Sequence, residues 1–239
     1  MNYENLLTVI KQRRSVRRYR PDPVPIEDVM KVLEAARWAP SGRNTQPWEF
    51  IVVRSKDKLR QVTDILIEMS ERMQEMAVSF VPLRVDYLQD VTTFIIVCAD
   101  PRFKATFPQS QVNEQMTTMY WENSERILIQ SIAAAVDNMH LAACVLGLGT
   151  VWITGAGESI TEQQLKAILQ IPQELRVICS IPLGHTPIKQ LSPRQPRPLE
   201  TMVHFDEFDA SKWRTDQDVK RYAQDTQTRA RFRQTGRID

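Results

Sequence analysis

The chain has 239 residues, of which 42% are hydrophobic and 25% charged, the composition of a globular protein with enough apolar side chains for a full core. Its 31 basic and 29 acidic residues leave a formal net charge of +2, which argues against nucleic acid or a membrane as a partner. With no C-x-x-C spacing and no secretory segment, the chain is predicted to be cytoplasmic, with buried thiols at Cys98, Cys144 and Cys179.

The first part of the chain predicts two helices joined by a proline-rich turn. Asn2 is placed to cap a helix over 3–12, where apolar residues recur at helical spacing. Pro25 suits the first turn of a second helix over 26–37, which has one apolar face.

Strands then alternate with helices. Strands are predicted at 48–53, 92–98, 150–153 and 176–181, and helices at 56–78, 125–146 and 161–169. The helix over 125–146 has too many apolar residues for one stripe, which predicts a buried central helix ended by Gly147. Thr161 is placed to cap the last of these helices. Long helices with few strands favour the α+β class or a three-layer α/β sandwich.

The composition changes near residue 209, where basic and polar residues replace aliphatic ones. We therefore expect a core domain over 1–208 and a basic extension over 209–239 that cannot build a core of its own. The extension is either solvated and partly helical or an arm that packs on a partner subunit.

A basic segment, Arg13-Arg14-Ser15-Val16-Arg17-Arg18, follows the first helix. Such a cluster is commonly a solvated face. Here a serine lies among arginines, and guanidinium groups with a hydroxyl match the oxygens of a phosphate monoester. The chain has neither a G-x-G-x-x-G nor a G-x-x-x-x-G-K-[ST] motif, so a bound phosphate must be held in another way.

Three further segments offer small or polar groups to a planar ligand, although each is an ordinary turn by itself. They are the loop 39–48, the glycine-rich strand region 146–157 and the proline-rich stretch 194–200. In order and spacing, the four segments together resemble the nitroreductase family of FMN enzymes over residues 5–208. The resemblance implies a three-layer α/β/α sandwich with a mixed, mostly antiparallel sheet around a long central helix, in a domain-swapped homodimer.

The resemblance also implies two FMN sites, each built from both chains. The FMN phosphate and ribityl chain are expected to contact Arg13, Arg14 and Ser15, helped by Arg194 or Arg197, and the flavin N1 and O2 are expected near Arg17. The ring is expected to contact Pro40, Ser41 and Asn44 of the other subunit, with its N5 near the backbone of Thr154 and Gly155. Many members have Glu-Gly at this last position, so a carboxylate role is absent here.

On this interpretation the protein supplies no catalytic side chain and no metal, because the flavin carries the hydride from NAD(P)H to a nitroaromatic or quinone in a ping-pong cycle. The acceptor pocket is expected to be roofed by apolar side chains before the central helix, namely Phe103, Phe107, Met116, Met119, Tyr120 and Trp121. Two alternatives stay open: a flavin-dependent reductive dehalogenase of the same superfamily, and a non-catalytic flavin- or nucleotide-binding module.

Overall fold

A computed structural model describes residues 2–76, 85–106, 114–187 and 196–234, with only the backbone given at 106 and 227–234. The helices in these ranges are α1 (Tyr3–Gln12), α2 (Ile26–Arg37), α3 (Lys56–Glu75), α4 (Glu114–Val145), α5 (Ser159–Leu169) and α6 (Asp216–Gln234). The strands are β1 (Trp48–Val53), β2 (Thr93–Ala99), β3 (Leu148–Thr150) and β4 (Arg176–His185).

The chain forms two compact units. The first comprises Met1–Glu71 and Val85–Leu191, and the second comprises Arg72–Arg84 and Ser192–Asp239. The predicted division into 1–208 and 209–239 stays a prediction.

The four strands of the first unit form one sheet in the order β1-β2-β4-β3, with antiparallel neighbours. The parallel element is an isolated bridge between Ser15 and Thr150, which attaches the basic segment to the edge strand β3. The predicted α+β class with a mixed, mostly antiparallel sheet is confirmed.

Helices cover both faces of the sheet. Alternate residues of β2, such as Ile95 and Val97, pack in one core with the buried faces of α2 and α4. The β2 residues on the opposite face of the sheet, such as Phe94 and Ile96, are also fully buried. Helices α3 and α5 each have a buried face as well. This arrangement is the predicted three-layer sandwich, and burial on both faces explains why β2 is apolar at every position.

The predicted elements are largely in place, and α1, α2 and β1 have the predicted bounds. The cap of α1 is confirmed, because the Asn2 side chain accepts a hydrogen bond from the Asn5 N–H at 3.0 Å. The predicted cap of α5 is wrong: Glu158 accepts the backbone N–H groups of Ile160 and Thr161, and Thr161 is itself buried in the first turn.

Several further boundaries differ from the prediction. Strand β4 continues four residues past its predicted end at 181, to His185. Helix α3 ends at Glu75, and the predicted helical residues 77–78 lie outside the described residues.

The central helix α4 begins at Glu114, eleven residues before the predicted start. The prediction began the helix at the dense apolar run after Glu125 and assigned the apolar side chains before it to the roof of a pocket. Strand β3 ends at Thr150, where its pairing with β4 stops, and residues 151–153 keep only the bridge between Ile153 and Ser180. Gly147 ends α4 as predicted, with a positive φ of 71°.

Helix α4 has the length and hydropathy of a membrane-spanning helix. Core helices of soluble proteins pass the same test, and nine α4 side chains are buried against other parts of this chain. The fold therefore uses α4 as the predicted central helix.

The second unit contains α6 and two short 3-10 turns at Leu199–Thr201 and Ala210–Lys212. The ring of Phe208 stacks on His204 at 4.3 Å and meets Trp213 edge-on at 5.9 Å. Most of its described side chains are exposed, as expected of a segment with few aliphatic residues.

Candidate functional site

The basic segment leaves α1 in an extended conformation and runs beside β3. The backbone N–H of Val16 donates to the Thr150 carbonyl at 2.8 Å, and the buried Tyr19 hydroxyl donates to the Val16 carbonyl at 2.9 Å. Val16 lies so close to Gly149 that a Cβ there would stand 2.7 Å from a Val16 methyl. The absence of a side chain at Gly149 therefore sets the position of the arginines.

A half-open cavity of about 240 Å³ lies between this segment, the end of α4 and β3. It is lined by Gln12, Arg13, Arg14, Val16, His140, Cys144, Gly147, Leu148, Thr150 and Thr186. These described lining residues include two guanidinium groups and no carboxylate. A half-buried cavity lined by two guanidinium groups is expected to attract an anion.

The two arginines of the cavity differ in what they bind within the chain. Arg14 donates to the carbonyls of Lys11 and Arg13, which are among the carbonyls left over at the end of α1. The Arg13 side chain makes no hydrogen bond or ion pair with another described residue, and it is half-buried. Arg13 is therefore the guanidinium best placed to bind a ligand.

A buried polar pair also lines the cavity. His140 Nδ1 lies 2.7 Å from the Thr150 Oγ1, and each residue is 3% exposed. The His140 ring also lies 5.8 Å from that of Trp152, centroid to centroid. Sequence reasoning gave His140 no role, although its spacing of one helical turn from Cys144 places both residues on one face near Gly147.

Cys144 is half-buried, whereas Cys98 and Cys179 are buried as predicted. Burial raises the pKa of Cys98 and of Cys179 to about 12. Burial also raises the pKa of Cys144, against the lowering effect of Arg13 and Arg14. The prediction of three buried thiols is therefore wrong at Cys144, whose side chain borders a cavity.

We expect iodoacetamide at pH 8 to alkylate one thiol per folded chain, at Cys144. The other two thiols are excluded from solvent and have too little thiolate at this pH to react. Peptide mapping by mass spectrometry checks this, with the denatured chain as the three-thiol control. Rapid modification of Cys98 or Cys179 in the folded protein would contradict the burial described above.

Arg17 is exposed and lies beside Tyr87. Burial raises the pKa of the Tyr87 phenol, and the charge and hydrogen bond of Arg17 lower it. The described cavity is not lined by Arg17 or Ser15. Their contacts with a flavin stay predictions.

The loop after α2 has an unusual backbone. Arg43, Asn44 and Gln46 have φ values of 54°, 55° and 45°, in the left-handed region that few residues other than glycine occupy. The Ser41 hydroxyl accepts the Gln46 N–H at 3.0 Å, and the Gln46 side chain donates to Asn44 at 3.2 Å. Strained backbone held by such contacts is typical of binding sites.

The loop packs on α4 through Gly42, whose N–H donates to the Ser131 hydroxyl at 3.2 Å. Ser131 precedes His140 by nine residues, so the loop meets α4 about 13 Å along the helix from the cavity. Pro40, Ser41 and Asn44 are absent from the cavity lining. One chain therefore does not bring the loop and the cavity together.

Replacing Gly42 by alanine is expected to lower the free energy of unfolding by about 1–3 kcal/mol, because overpacking against a stiff neighbour is costly. The added Cβ would lie 2.2 Å from the Ile127 Cγ2. Gly155→Ala is the matched control, since its Cβ would meet the flexible Met69 side chain at 2.6 Å. Urea denaturation of both variants checks this, and equal losses would contradict the difference.

Thr154 and Gly155 lie in a short 3-10 turn, Thr154–Gly157, between the bridge at Ile153 and α5. Thr154 is exposed, and the turn is not part of the cavity lining. Its predicted approach to the flavin N5 stays a prediction.

Arg194 and Phe107 lie outside the described residues. Arg197 belongs to the second unit, where it donates to the Thr201 carbonyl at 3.4 Å. It lines a separate cavity of about 550 Å³ with Lys212, Arg214 and Asp218. Which of Arg194 and Arg197 contacts a phosphate stays open.

The apolar side chains predicted to roof an acceptor pocket belong to different elements, because α4 begins at Glu114 and includes those from Met116 onward. Met116, Met119 and Trp121 project from its exposed first turns, and the Tyr120 ring meets that of Trp121 edge-on at 6.3 Å. Phe103 lies in a 3-10 turn and packs against the core. Their role as a roof stays a prediction.

The fold and the site define a three-layer α+β protein with a cationic cavity at the end of its central helix. The sequence model of the nitroreductase family matches residues 10–185. A protein of Archaeoglobus fulgidus, named after NADH dehydrogenase and NAD(P)H nitroreductase activities, is 31% identical over 182 residues, which cover 76% of this chain and 86% of that protein. The chain belongs to the nitroreductase family.

Two other relatives show the range of the family. The iodotyrosine deiodinase of Thermotoga neapolitana is 27% identical over 203 residues, which cover 85% of this chain and 98% of that protein. A solved nitroreductase structure from Desulfovibrio desulfuricans, in complex with FMN, is 30% identical with a TM-score of 0.62, covering 87% of this chain and 99% of that one.

Proposed function

We propose that this chain is an FMN-dependent oxidoreductase that takes a hydride from NAD(P)H and passes it to a small electron-poor acceptor. Membership of the nitroreductase family supports a flavin oxidoreductase role, and an FMN complex is known for a relative. The observation that carries the proposal is the cavity in which Arg13 and Arg14 lie without a carboxylate. A phosphate monoester is the kind of anion that guanidinium groups bind best.

The donor set of the cavity fits the phosphate end of FMN. Sites for whole drug-sized ligands measure about 300–1,000 Å³, and this cavity of about 240 Å³ is smaller. We therefore place the phosphate and part of the ribityl chain in the cavity and the ring outside it. Bound FMN would supply the hydride-carrying centre, and the chain's own groups hold it in place.

In this proposal Arg13 binds the phosphate, while Arg14 neutralises the carbonyl end of α1 and keeps the segment in place. Ser15 pairs with Thr150 of β3 through a backbone bridge, which fixes the segment that carries Arg13 and Arg14. The turn at Thr154 and Gly155 provides a close backbone approach for the ring. Nicotinamide and acceptor are expected to occupy the same face of the ring in turn, the acceptor after the oxidised nicotinamide has left, which predicts ping-pong kinetics.

The ring needs a second wall, which we assign to the loop of a partner subunit. The loop with Ser41 and Asn44 lies about 13 Å along α4 from the cavity of its own chain and does not line that cavity, which favours the same loop of the partner subunit. Helix α1 has no buried residue and exposes an apolar stripe of Tyr3, Leu6 and Ile10. A stripe of this kind supports a homodimer interface next to the basic segment.

The direct test is whether the purified protein binds FMN and whether NADH or NADPH bleaches the bound flavin. We expect yellow protein, full bleaching without oxygen, and recovery of colour on adding a quinone or nitroaromatic. A protein that stays colourless with excess FMN would contradict the proposal and favour a binding module for another phosphorylated ligand.

Reductive dehalogenation is a second candidate, favoured by the similarity to iodotyrosine deiodinases. A panel of quinones, nitroaromatics and halotyrosines, offered to the pre-reduced enzyme, separates the two activities. Release of iodide from iodotyrosine at a rate above that of quinone reduction would favour the dehalogenase.

Arg17→Ala is expected to lower the reduction potential of the bound flavin by tens of millivolts while changing FMN affinity less. A cation near N1 stabilises the negative charge of the reduced ring. At about 4 Å the interaction energy of two such charges is a few kcal/mol at most. Redox titration with a reference dye checks this, with the exposed Arg18→Ala as control. An unchanged potential would place Arg17 away from the ring.

A further inference from the structure

The His140–Thr150 pair has no place in the flavin contacts carried over from the family resemblance. Both residues line the cavity that Arg13 also lines. Both side chains are 3% exposed, and their polar atoms are 2.7 Å apart. Thr186, which also has a hydroxyl group, lines the same cavity.

The dimensions of the cavity relate this pair to Arg13. A sphere of about 240 Å³ has a diameter of about 8 Å. A phosphate group with a hydrogen bond of about 2.8 Å on each side spans about 8–9 Å. A phosphate that Arg13 binds in this cavity therefore comes within reach of the other polar groups that line it.

The chemistry of the pair suits this position. Each guanidinium supplies at most two parallel hydrogen bonds to a phosphate, which has three terminal oxygens. A neutral imidazole and a hydroxyl have one ring N–H and one O–H between them. Their mutual hydrogen bond uses one of these protons and fixes the orientation of both groups, and the other proton is left to donate to an oxygen anion. The ring of Trp152 at 5.8 Å restricts the imidazole further.

We propose that His140 and Thr150 act as one unit that binds the phosphate of the ligand together with Arg13. This inference rests on the proposed function for the identity of the ligand, FMN. It assigns to the end of α4 a part in ligand binding and not only in the core. The pair confers a preference for FMN over riboflavin, which has the same ring and ribityl chain without the phosphate.

The test is a fluorescence titration with FMN and with riboflavin for wild type, Thr150→Val and His140→Leu. Each substitution is expected to weaken FMN binding about tenfold or more, as for a lost hydrogen bond to a charged group, and riboflavin binding less than about threefold. The double variant is expected to lose little beyond either single one, because the two residues act together. His140→Gln, which keeps a donor, is expected to recover part of the affinity.

Thr161→Val is the matched control, because Thr161 is also a buried threonine with a hydrogen-bonded hydroxyl, on the Glu158 carboxylate. It is expected to bind FMN as wild type does. Thr150→Val keeps the shape of the side chain, so the test survives if His140→Leu fails to fold. FMN affinities of Thr150→Val and His140→Gln equal to wild type would overturn the inference, as would equal losses for FMN and riboflavin.

Inorganic phosphate provides a readout that does not depend on the flavin. Phosphate in the cavity is expected to slow alkylation of Cys144, which lines the same cavity, in wild type and much less in Thr150→Val. If wild type binds no FMN but phosphate still protects Cys144 through Thr150, the proposed function fails and this inference stands. If wild type binds FMN and neither substitution changes the binding of FMN or of phosphate, the proposed function stands and this inference fails.

Discussion

Arg13→Ala is expected to weaken FMN binding by about ten- to a hundredfold, because a hydrogen bond to a charged group contributes about 1.5–3 kcal/mol. Arg13 lines the cavity, is half-buried and makes no side-chain hydrogen bond to another described residue. Its removal therefore takes charge from the ligand site without breaking an internal contact. Titration of the apoprotein with FMN, followed by flavin fluorescence, gives the affinity.

Riboflavin and Arg18→Ala provide the controls for this experiment. Riboflavin lacks the phosphate, so its binding is expected to change little in Arg13→Ala. Arg18 is exposed and does not line the cavity, so Arg18→Ala is expected to bind FMN nearly as wild type does. Equal losses in both variants would indicate a diffuse effect of charge, and an unchanged affinity in Arg13→Ala would place the phosphate elsewhere.

A mixed dimer is expected to recover FMN binding that both of its parent homodimers lack. One parent carries Arg13→Ala, and the other carries Ser41→Trp, which fills the space proposed for the ring. If the cavity of one chain works with the loop of the other, the mixed dimer has one intact site and one site with both defects. At an FMN concentration between the Kd of the unmodified dimer and that of Arg13→Ala, we expect about one FMN per mixed dimer and little in either parent.

Co-expression with two different affinity tags isolates the mixed dimer, and absorbance of the bound flavin gives the stoichiometry. A dimer of two unmodified chains with the same tags is the control and is expected to hold two FMN. If cavity and loop of the same chain formed each site, both sites of the mixed dimer would be defective. Absence of FMN from a correctly folded mixed dimer would thus contradict the two-chain site.

The fold was predictable from local patterns where one physical cause dominated. The cap at Asn2 and the unbroken apolar run of β2 identify elements whose bounds agree with the structure to within a residue. The start of α4 was missed because its first turns are mostly exposed and lack the dense apolar run that follows Glu125, although Met116, Met119 and Tyr120 recur at helical spacing. The cap at Glu158 was missed because Thr161 has the better capping propensity but is buried inside the turn.

The candidate site was predictable only in part. The basic segment has a composition suited to phosphate, and Arg13 and Arg14 do line a cavity. His140 was not predictable, because an isolated histidine in an apolar helix is usually a core residue. Its place in the cavity lining depends on the packing of α4 beside Thr150. The distance between this cavity and the Ser41 loop is likewise a property of the packing on α4 and not of either sequence segment.

The most direct measurement is a crystal structure of the dimer grown with excess FMN. We expect the phosphate within hydrogen-bonding distance of the Arg13 guanidinium, and the ring covered by the loop that carries Ser41 and Asn44 in the second subunit. A flavin phosphate bound away from Arg13, or a ring covered by the loop of the same chain, would contradict the account.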